Sequence, residues 1–241
     1  MRRYLPAVIL AAAVAAYPAA SDPGPAPTSE TGVKCPGAAA WDETHRDLLP
    51  EAMLKRDAQR SLTKPQLLAE LRKRADRDQQ ARREWLEHRG DHVLGDAVYR
   101  IDQDNIGWLR KLIATAGLPT AAEVGELGVH LTFLLLQHAS TAPDLRQKAL
   151  PILTERYEAG ELPATDLARL VDRILVGQKK PQRFGTQFDW LSGRFPLPDA
   201  ARVSEIDANR RKLGLMPLAD YACRMNDWFL APRWGETPPA G

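Results

Sequence analysis

From about residue 63 to residue 213 the apolar residues recur at spacings of three and four, and glycine or proline closes most of the runs. A strand would need a period of two, so a chain with this spacing buries its apolar residues as packed helices. "TKPQLLAELRKRADRDQQARREWLEH" places Leu67, Leu71 and Trp85 on one face, behind Thr63 as N-cap and Pro65 in the first turn. A second helix is expected from about Val93 to Ala116, closed by Gly117 and Pro119. Thr120 and Glu123 form a capping-box pattern that opens a third, which ends near Gln137 and His138. "TAPDLRQKALPILTERYEAG" reads as a fourth helix with a kink at Pro151, and "PATDLARLVDRILVG" as a fifth ending at Gly177. After an irregular stretch over residues 179–197, a sixth runs from about Pro198 to Leu213 and stops at Gly214, before Pro217. Val and Ile are sparse, and no repeat is evident. The spacing predicts an all-α fold, a single globular domain of six to seven helices over residues 41–230. At 241 residues, 44% hydrophobic and 27% charged, the chain is long enough to bury a real core.

The N-terminus has a different character. "MRRYLPAVILAAAVAAYPAASD" has two arginines, a short Ala-rich apolar stretch and small residues near Ala20 and Ser21, the pattern of a secretory signal peptide over residues 1–21. The competing reading is an uncleaved anchor, for which the stretch is short. Cys35 follows "TGVK" rather than the residues a lipoprotein signal peptidase needs, which argues against lipidation. The Pro/Gly-rich residues 22–40 read as a flexible, disordered tether, and residues 231–241 as a disordered tail. Without the signal, 31 basic residues face 31 acidic ones, a balance that gives no reason to expect nucleic acid or stable membrane insertion. Export would also expose Cys35 and Cys223 to an oxidising compartment. They form either one disulfide or two free thiols; a bridge this long would contribute up to roughly 4–5 kcal/mol in the chain-entropy model.

Polar residues interrupt three of the apolar stripes. At 100° per residue, Leu127, Leu131, Leu134 and His138 share a narrow sector, so His138 continues the buried face. In the second helix Asp102 falls among Leu94, Val98, Ile106, Leu109 and Ile113, with Asn105 at the edge. In the first, Asp78 lies between Leu71 and Trp85, flanked by Arg74 and Arg82. A buried polar group left unpaired costs on the order of 1–3 kcal/mol, so these residues should meet one another or a ligand. One outcome is an internal network that fixes helix register; the other is a pocket. Asp172 and Arg173 fall outside their apolar sector, where a charge pair is usually solvated. His130 and Gln137 sit at the edge of the third helix and read as ordinary. "PQRFGTQ" is a loop in which Gln182, Thr186 and Gln187 offer donors and acceptors around Gly185. Glu84, His88 and His92 are a turn apart, a spacing that would suit zinc, but Gly90 interrupts them and no metal site is assigned.

The ordered motifs "DRDQQARR", "IDQDNIGWLRKLIATAGLPTAAEVG", "LLLQHAS", "LARLVDRILVGQKKPQRFGTQ" and "NRRKLGLMPLADY" resemble an uncharacterised bacterial family, domain of unknown function 6624, over roughly residues 65–222. The resemblance implies that its motif positions fall on Asp78 and Gln79 with Arg82 or Arg83, on Asp102 and Asn105, and on Gly117 to Thr120. They continue on Gln137 and His138, Asp172 and Arg173, Gly185 to Gln187, and Arg210 or Arg211 with Gly214. Phe184 stands where the family pattern has Tyr. The resemblance carries no reaction, but it points to the polar residues that the stripes single out and adds Asp172, Arg173 and Gln187.

Two functional classes follow. In the first the protein is a secreted hydrolase or transferase acting on a peptide or small extracytoplasmic substrate. His138 would be general base or acid, oriented by Asp102 or Asp78; Asn105, Gln137, Asp172, Thr186 and Gln187 would line the substrate, and Arg173 would hold its anionic part. No Ser or Cys stands beside His138 in a nucleophile motif, so direct water activation fits better than a covalent intermediate. No cofactor is required, although Asp78, Asp102, Asn105 and His138 would also suit a hard or borderline cation. In the second class the same pocket only binds, as an accessory module for a peptide or small molecule.

Overall fold

Proline starts four of the helices, as expected for Pro65. In the computed structural model, which describes residues 35–88, 91–187 and 200–230, α1 (Pro36–Thr44), α2 (Pro50–Asp57), α3 (Pro65–Glu87) and α6 (Pro143–Glu158) each begin on proline. Its fixed φ suits the first turn, where its missing N–H is not needed. The remaining helices are α4 (His92–Ala116), α5 (Ala121–His138), α7 (Ala164–Gly177), α8 (Ala200–Lys212) and α9 (Leu218–Leu230), the last directly after Pro217. Among the described residues there are nine α-helices, a short 3₁₀ turn at Arg46–Leu48 and no strand. The all-α class holds, and the expected six helices correspond to α3 through α8. The three additions are α1 and α2, too short for a periodic pattern at nine and eight residues, and α9, which follows Pro217. α1 opens inside the stretch expected to be a flexible tether. The expected signal peptide over residues 1–21, most of the expected tether and the expected C-terminal tail lie outside the described residues.

α5 is the axis of the fold. It packs against α2, α3, α4, α6 and α7, and every residue from Val124 to His138 is buried. A helix covered on all sides needs no polar face, which accounts for its nearly unbroken apolar sequence. Its path depends on one glycine. Gly125 has φ 75° and ψ 166°, a conformation only glycine adopts easily, and it divides the helix after one turn. The amides this break exposes are capped from α2: Asp57 accepts Glu126 N–H and Leu127 N–H, both at 2.8 Å. Arg56 and Arg60 then pair with Glu126, each at 2.7 Å. At the start of α5 the expected capping box is present, with Thr120 N–H donating to Glu123 Oε2 at 3.1 Å. Thr63, expected as the N-cap of α3, stands one residue too early. Lys64 takes that position because Pro65 is the first helical residue, and Thr63 N–H donates to Ala122 O at 3.2 Å. α6 runs through Pro151, which lies on the exposed face.

A second, smaller core joins α1, α8 and α9 around Ala38, Ile206, Met216, Leu218, Tyr221 and Met225. Cys35 and Cys223 are bridged there, with Cα atoms 5.9 Å apart. Arg224 ties the same two helices by donating to Asp42 Oδ2 at 2.6 Å and Ala38 O at 2.9 Å. The two ends of the described chain thus close on each other. No helix among the described residues is long and apolar enough to cross a membrane.

Candidate functional site

The stripes broken by Asp78, Asp102 and His138 converge on a single guanidinium. Asp78 and Arg82 sit one turn apart on α3, so both face α4 and the end of α5. Arg82 Nε lies 3.2 Å from Asp78 Oδ1 and 3.0 Å from His138 Nδ1, and Nη2 donates to Asp102 Oδ1. His138 Nδ1 is 2.7 Å from Asp78 Oδ2, which also accepts from Gln79 Nε2 at 2.7 Å. Nδ1 cannot both donate to Asp78 and accept from Arg82. With Asp78 ionised beside Arg82, the consistent assignment puts the proton on Nδ1, directed at Asp78, and leaves the lone pair on Nε2. Exposure is 2% for Arg82, 1% for Asp78 and 2% for His138, and rises only to 8% at Asp102, the edge nearest solvent.

Burial acts on each of these groups and their neighbours decide the outcome. Burial pushes the Asp78 carboxyl up, but His138 and Arg82, with the hydrogen bonds from His138 and Gln79, outweigh it and hold Asp78 well below the usual carboxylate range. For Asp102 burial wins over Arg82, helped by the charge of Asp78, and its pKa is raised to about 7. His138 is lowered to about 4, first by burial and then by Arg82, against the opposing pull of Asp78. Two carboxylates on one arginine are therefore driven in opposite directions, around an imidazole kept neutral. Such a separation is found both in proton-transfer sites and in buried ion-pair networks. The middle of the cluster is occupied by a cation, Arg82, so the carboxylates are not disposed to share a metal ion. Among the described residues no group of three or more His, Cys, Asp or Glu side chains is placed to hold one.

The other expected residues divide into three groups. Asn105 is buried beside the cluster but its oxygen accepts from Arg74 Nη1 at 3.1 Å, and Arg74 in turn covers the Trp108 ring at 4.7 Å. Gln137 is buried rather than at an ordinary edge, and its Oε1 has no donor among the described residues. Asp172 and Arg173, expected on a solvated face, are both buried, Asp172 under the segment over residues 183–187 and Arg173 toward Arg146 and the Arg82 cluster. They then part. Arg173 acts on His138, and is itself lowered to about 9, first by burial and then by Arg146 and Arg82. Asp172 instead organises the loop, accepting from Arg183 N–H at 2.7 Å, Phe184 N–H at 3.0 Å, and Thr186 N–H and Oγ1–H at 2.8 Å each. Gln187 continues that loop, with its N–H donating to Gln182 Oε1 at 2.8 Å and its Nε2 to Arg169 O at 3.3 Å. Arg210 completes the clamp by donating to Phe184 O at 2.7 Å. In this geometry Asp172, Thr186 and Gln187 hold one another rather than facing His138.

The sequence pairs Arg82 with Asp78 and puts a family motif position on Arg82 or Arg83, but does not show that Arg82 is the hub. Two other participants have no such signal. Arg146 on α6 is buried, and nothing in "PDLRQKAL" announced it. His130, read as ordinary, lies 2.5 Å from Asp166 Oδ2 in a second buried pair that ties α5 to α7.

These elements fall within one family match. The model of the family of unknown function DUF6624 matches residues 65–231, from the start of α3 to just beyond α9. The chain belongs to that family. The DUF6624 region holds Asp78, Arg82, Asp102, His138, Arg146, Arg173 and the whole Asp172 loop, whereas α1, α2 and the Asp57 cap precede it. Comparison with curated proteins and with solved structures finds no match.

Proposed function

We propose that this DUF6624 member is an acid/base enzyme of the extracytoplasmic space, a hydrolase or transferase that acts on a peptide or other small acyl substrate. The observation that carries the reading is the opposed shift of Asp78 and Asp102 about Arg82, with His138 fixed between them. His138 Nε2 takes a proton from water and becomes imidazolium against the Asp78 carboxylate, while the hydroxide adds to the substrate carbonyl. Neutral Asp102, at the solvent edge, gives its proton to the leaving group. The imidazolium proton then returns through solvent to the Asp102 carboxylate, which restores both groups. Arg82 positions all three, and Arg173 would meet an anionic part of the substrate. The disulfide is compatible with an extracytoplasmic location, as is the absence of a membrane-crossing helix among the described residues.

A binding module is the second reading, and the exposure of every member of the cluster below 10%, which keeps bulk water from His138, favours it. One experiment separates them: a panel of peptide, ester and amide substrates assayed with wild type, His138→Gln and Asp102→Asn, each checked for native circular dichroism. The enzyme reading expects one class to be turned over, with losses of about 10²-fold or more in both folded variants. No turnover by wild type on any class, or equal turnover in the folded variants, leaves the binding reading.

A further inference from the structure

Arg146 carries a buried charge that the protein itself does not neutralise. Its side chain rises from the second turn of α6 and is 5% exposed. Nε is enclosed without an acceptor, and the guanidinium's one hydrogen bond among the described residues is a long one, Nη2 to Ser140 O at 3.4 Å. No described carboxylate pairs with it. The nearest in sequence, Asp144, is turned outward to Arg110, at 2.8 and 2.9 Å. Burial holds the Arg146 pKa below the usual arginine range, and its charge in turn lowers that of another buried arginine, Arg173. Burying a guanidinium beside a like charge is unfavourable unless an anion completes the arrangement.

The space for that anion is present. A cleft of about 40 Å³ opens between α6 and α7, lined by Pro143, Arg146, Gln147, Ile174, Gly177 and Gln178. This exceeds the room one water needs and suits a group of a few heavy atoms. Two amide side chains border it as neutral donors, and Lys179 and Lys180 follow Gln178 directly in the chain. We propose that the α6–α7 cleft is an anion-binding site in which Arg146, with Gln147 and Gln178, takes a small oxyanion, a carboxylate or a phosphate group. A planar guanidinium matches either in bidentate fashion. The site does not require His138 to do chemistry. It does border the acid/base cluster, because Arg173 is in electrostatic contact with Arg146, Arg82, Asp102 and His138.

The test is isothermal titration of the full, disulfide-bonded chain with inorganic phosphate and, separately, with acetate, at ionic strength held constant with sodium chloride. Saturable binding of one or both is expected. Phosphate alone assigns a phosphate group and acetate alone a carboxylate. In Arg146→Gln the binding should vanish, while the Tm in buffer free of phosphate and acetate stays equal to or above that of wild type, since an uncompensated charge has been removed. His138→Gln should bind as wild type does, so a failure of the enzyme reading would leave this result untouched. Saturable binding of neither anion overturns the proposal, as does binding that Arg146→Gln retains. Should Arg146→Gln fail to fold, Arg146→Lys decides: affinity about 10-fold weaker, from loss of the bidentate fork, supports the site, and unchanged affinity overturns it.

Discussion

At the scale of single residues, Asp102 and His138 make opposite demands on stability. The folded chain lowers His138 from its ordinary 6.5 to about 4, so its contribution is present above pH 6.5 and is lost as pH falls toward 4. Asp102 is raised from 3.8 to about 7, so its contribution is present at acid pH and is lost as pH rises through 7. Between about pH 4 and 6.5 the folded chain holds one proton more at Asp102 and one fewer at His138, and the two slopes cancel. Asp102→Asn should uncover the His138 slope and become less stable than wild type by up to about 3 kcal/mol as pH falls across that range. His138→Gln should do the reverse and gain on acidification. Urea midpoints at several pH values, taken as differences from wild type, check both; two flat difference curves would mean that neither group is shifted. Asp78, Asp102 and His138 were legible in the sequence because each breaks a stripe of period 3.6. Arg82 was legible as a neighbour of Asp78 but not as the hub, and Arg146 was not legible at all. A long side chain at a stripe's flank can turn inward or outward, and only the neighbouring helices determine which.

At the scale of elements, the break in α5 is the feature on which the site's placement rests. A Cβ on Gly125 would come within 2.5 Å of Asp57 Oδ2, and the backbone there is strained for any side chain. Gly125→Ala should therefore cost about 2 kcal/mol or more, from strain together with loss of the Asp57 cap. Asp57→Ala, which leaves the backbone unstrained but the amides of Glu126 and Leu127 uncapped, should cost about 1–2 kcal/mol. Chemical denaturation measures both. If Gly125→Ala is neutral, α5 does not need the break to reach its place. The periodic helices α3 to α8 were legible within a few residues, because amphipathic spacing and Gly/Pro stops are local signals. The interruption at Gly125 was not, since the acceptor that caps the second segment lies about 70 residues earlier in the chain.

At the scale of the whole molecule, the Cys35–Cys223 bridge closes a loop of 188 residues and fastens α1 to α9. Reduction, or Cys35→Ser with Cys223→Ser, should lower stability by an amount bounded at roughly 4–5 kcal/mol. The loss should appear first in the small core around Tyr221 and Met225, and only later in the α5 core. Hydrogen exchange under reducing and oxidising conditions reads this order, and uniform loss of protection would show that the two cores unfold as one. The Arg146 cleft and the acid/base cluster belong to the α5 core, so their properties should survive reduction.

The sequence by itself determined the helical class, the α3–α8 framework and the three polar breaks, because periodicity and chain punctuation depend only on neighbouring residues. Tertiary structure decided the rest. It brought Asp78, Asp102 and His138 onto one guanidinium, buried Asp172 beneath the loop it holds, and placed Arg146 at a cleft with no carboxylate to meet it. Those outcomes depend on which helix faces cover which, and a helix pattern records that a face is buried without recording what lies against it.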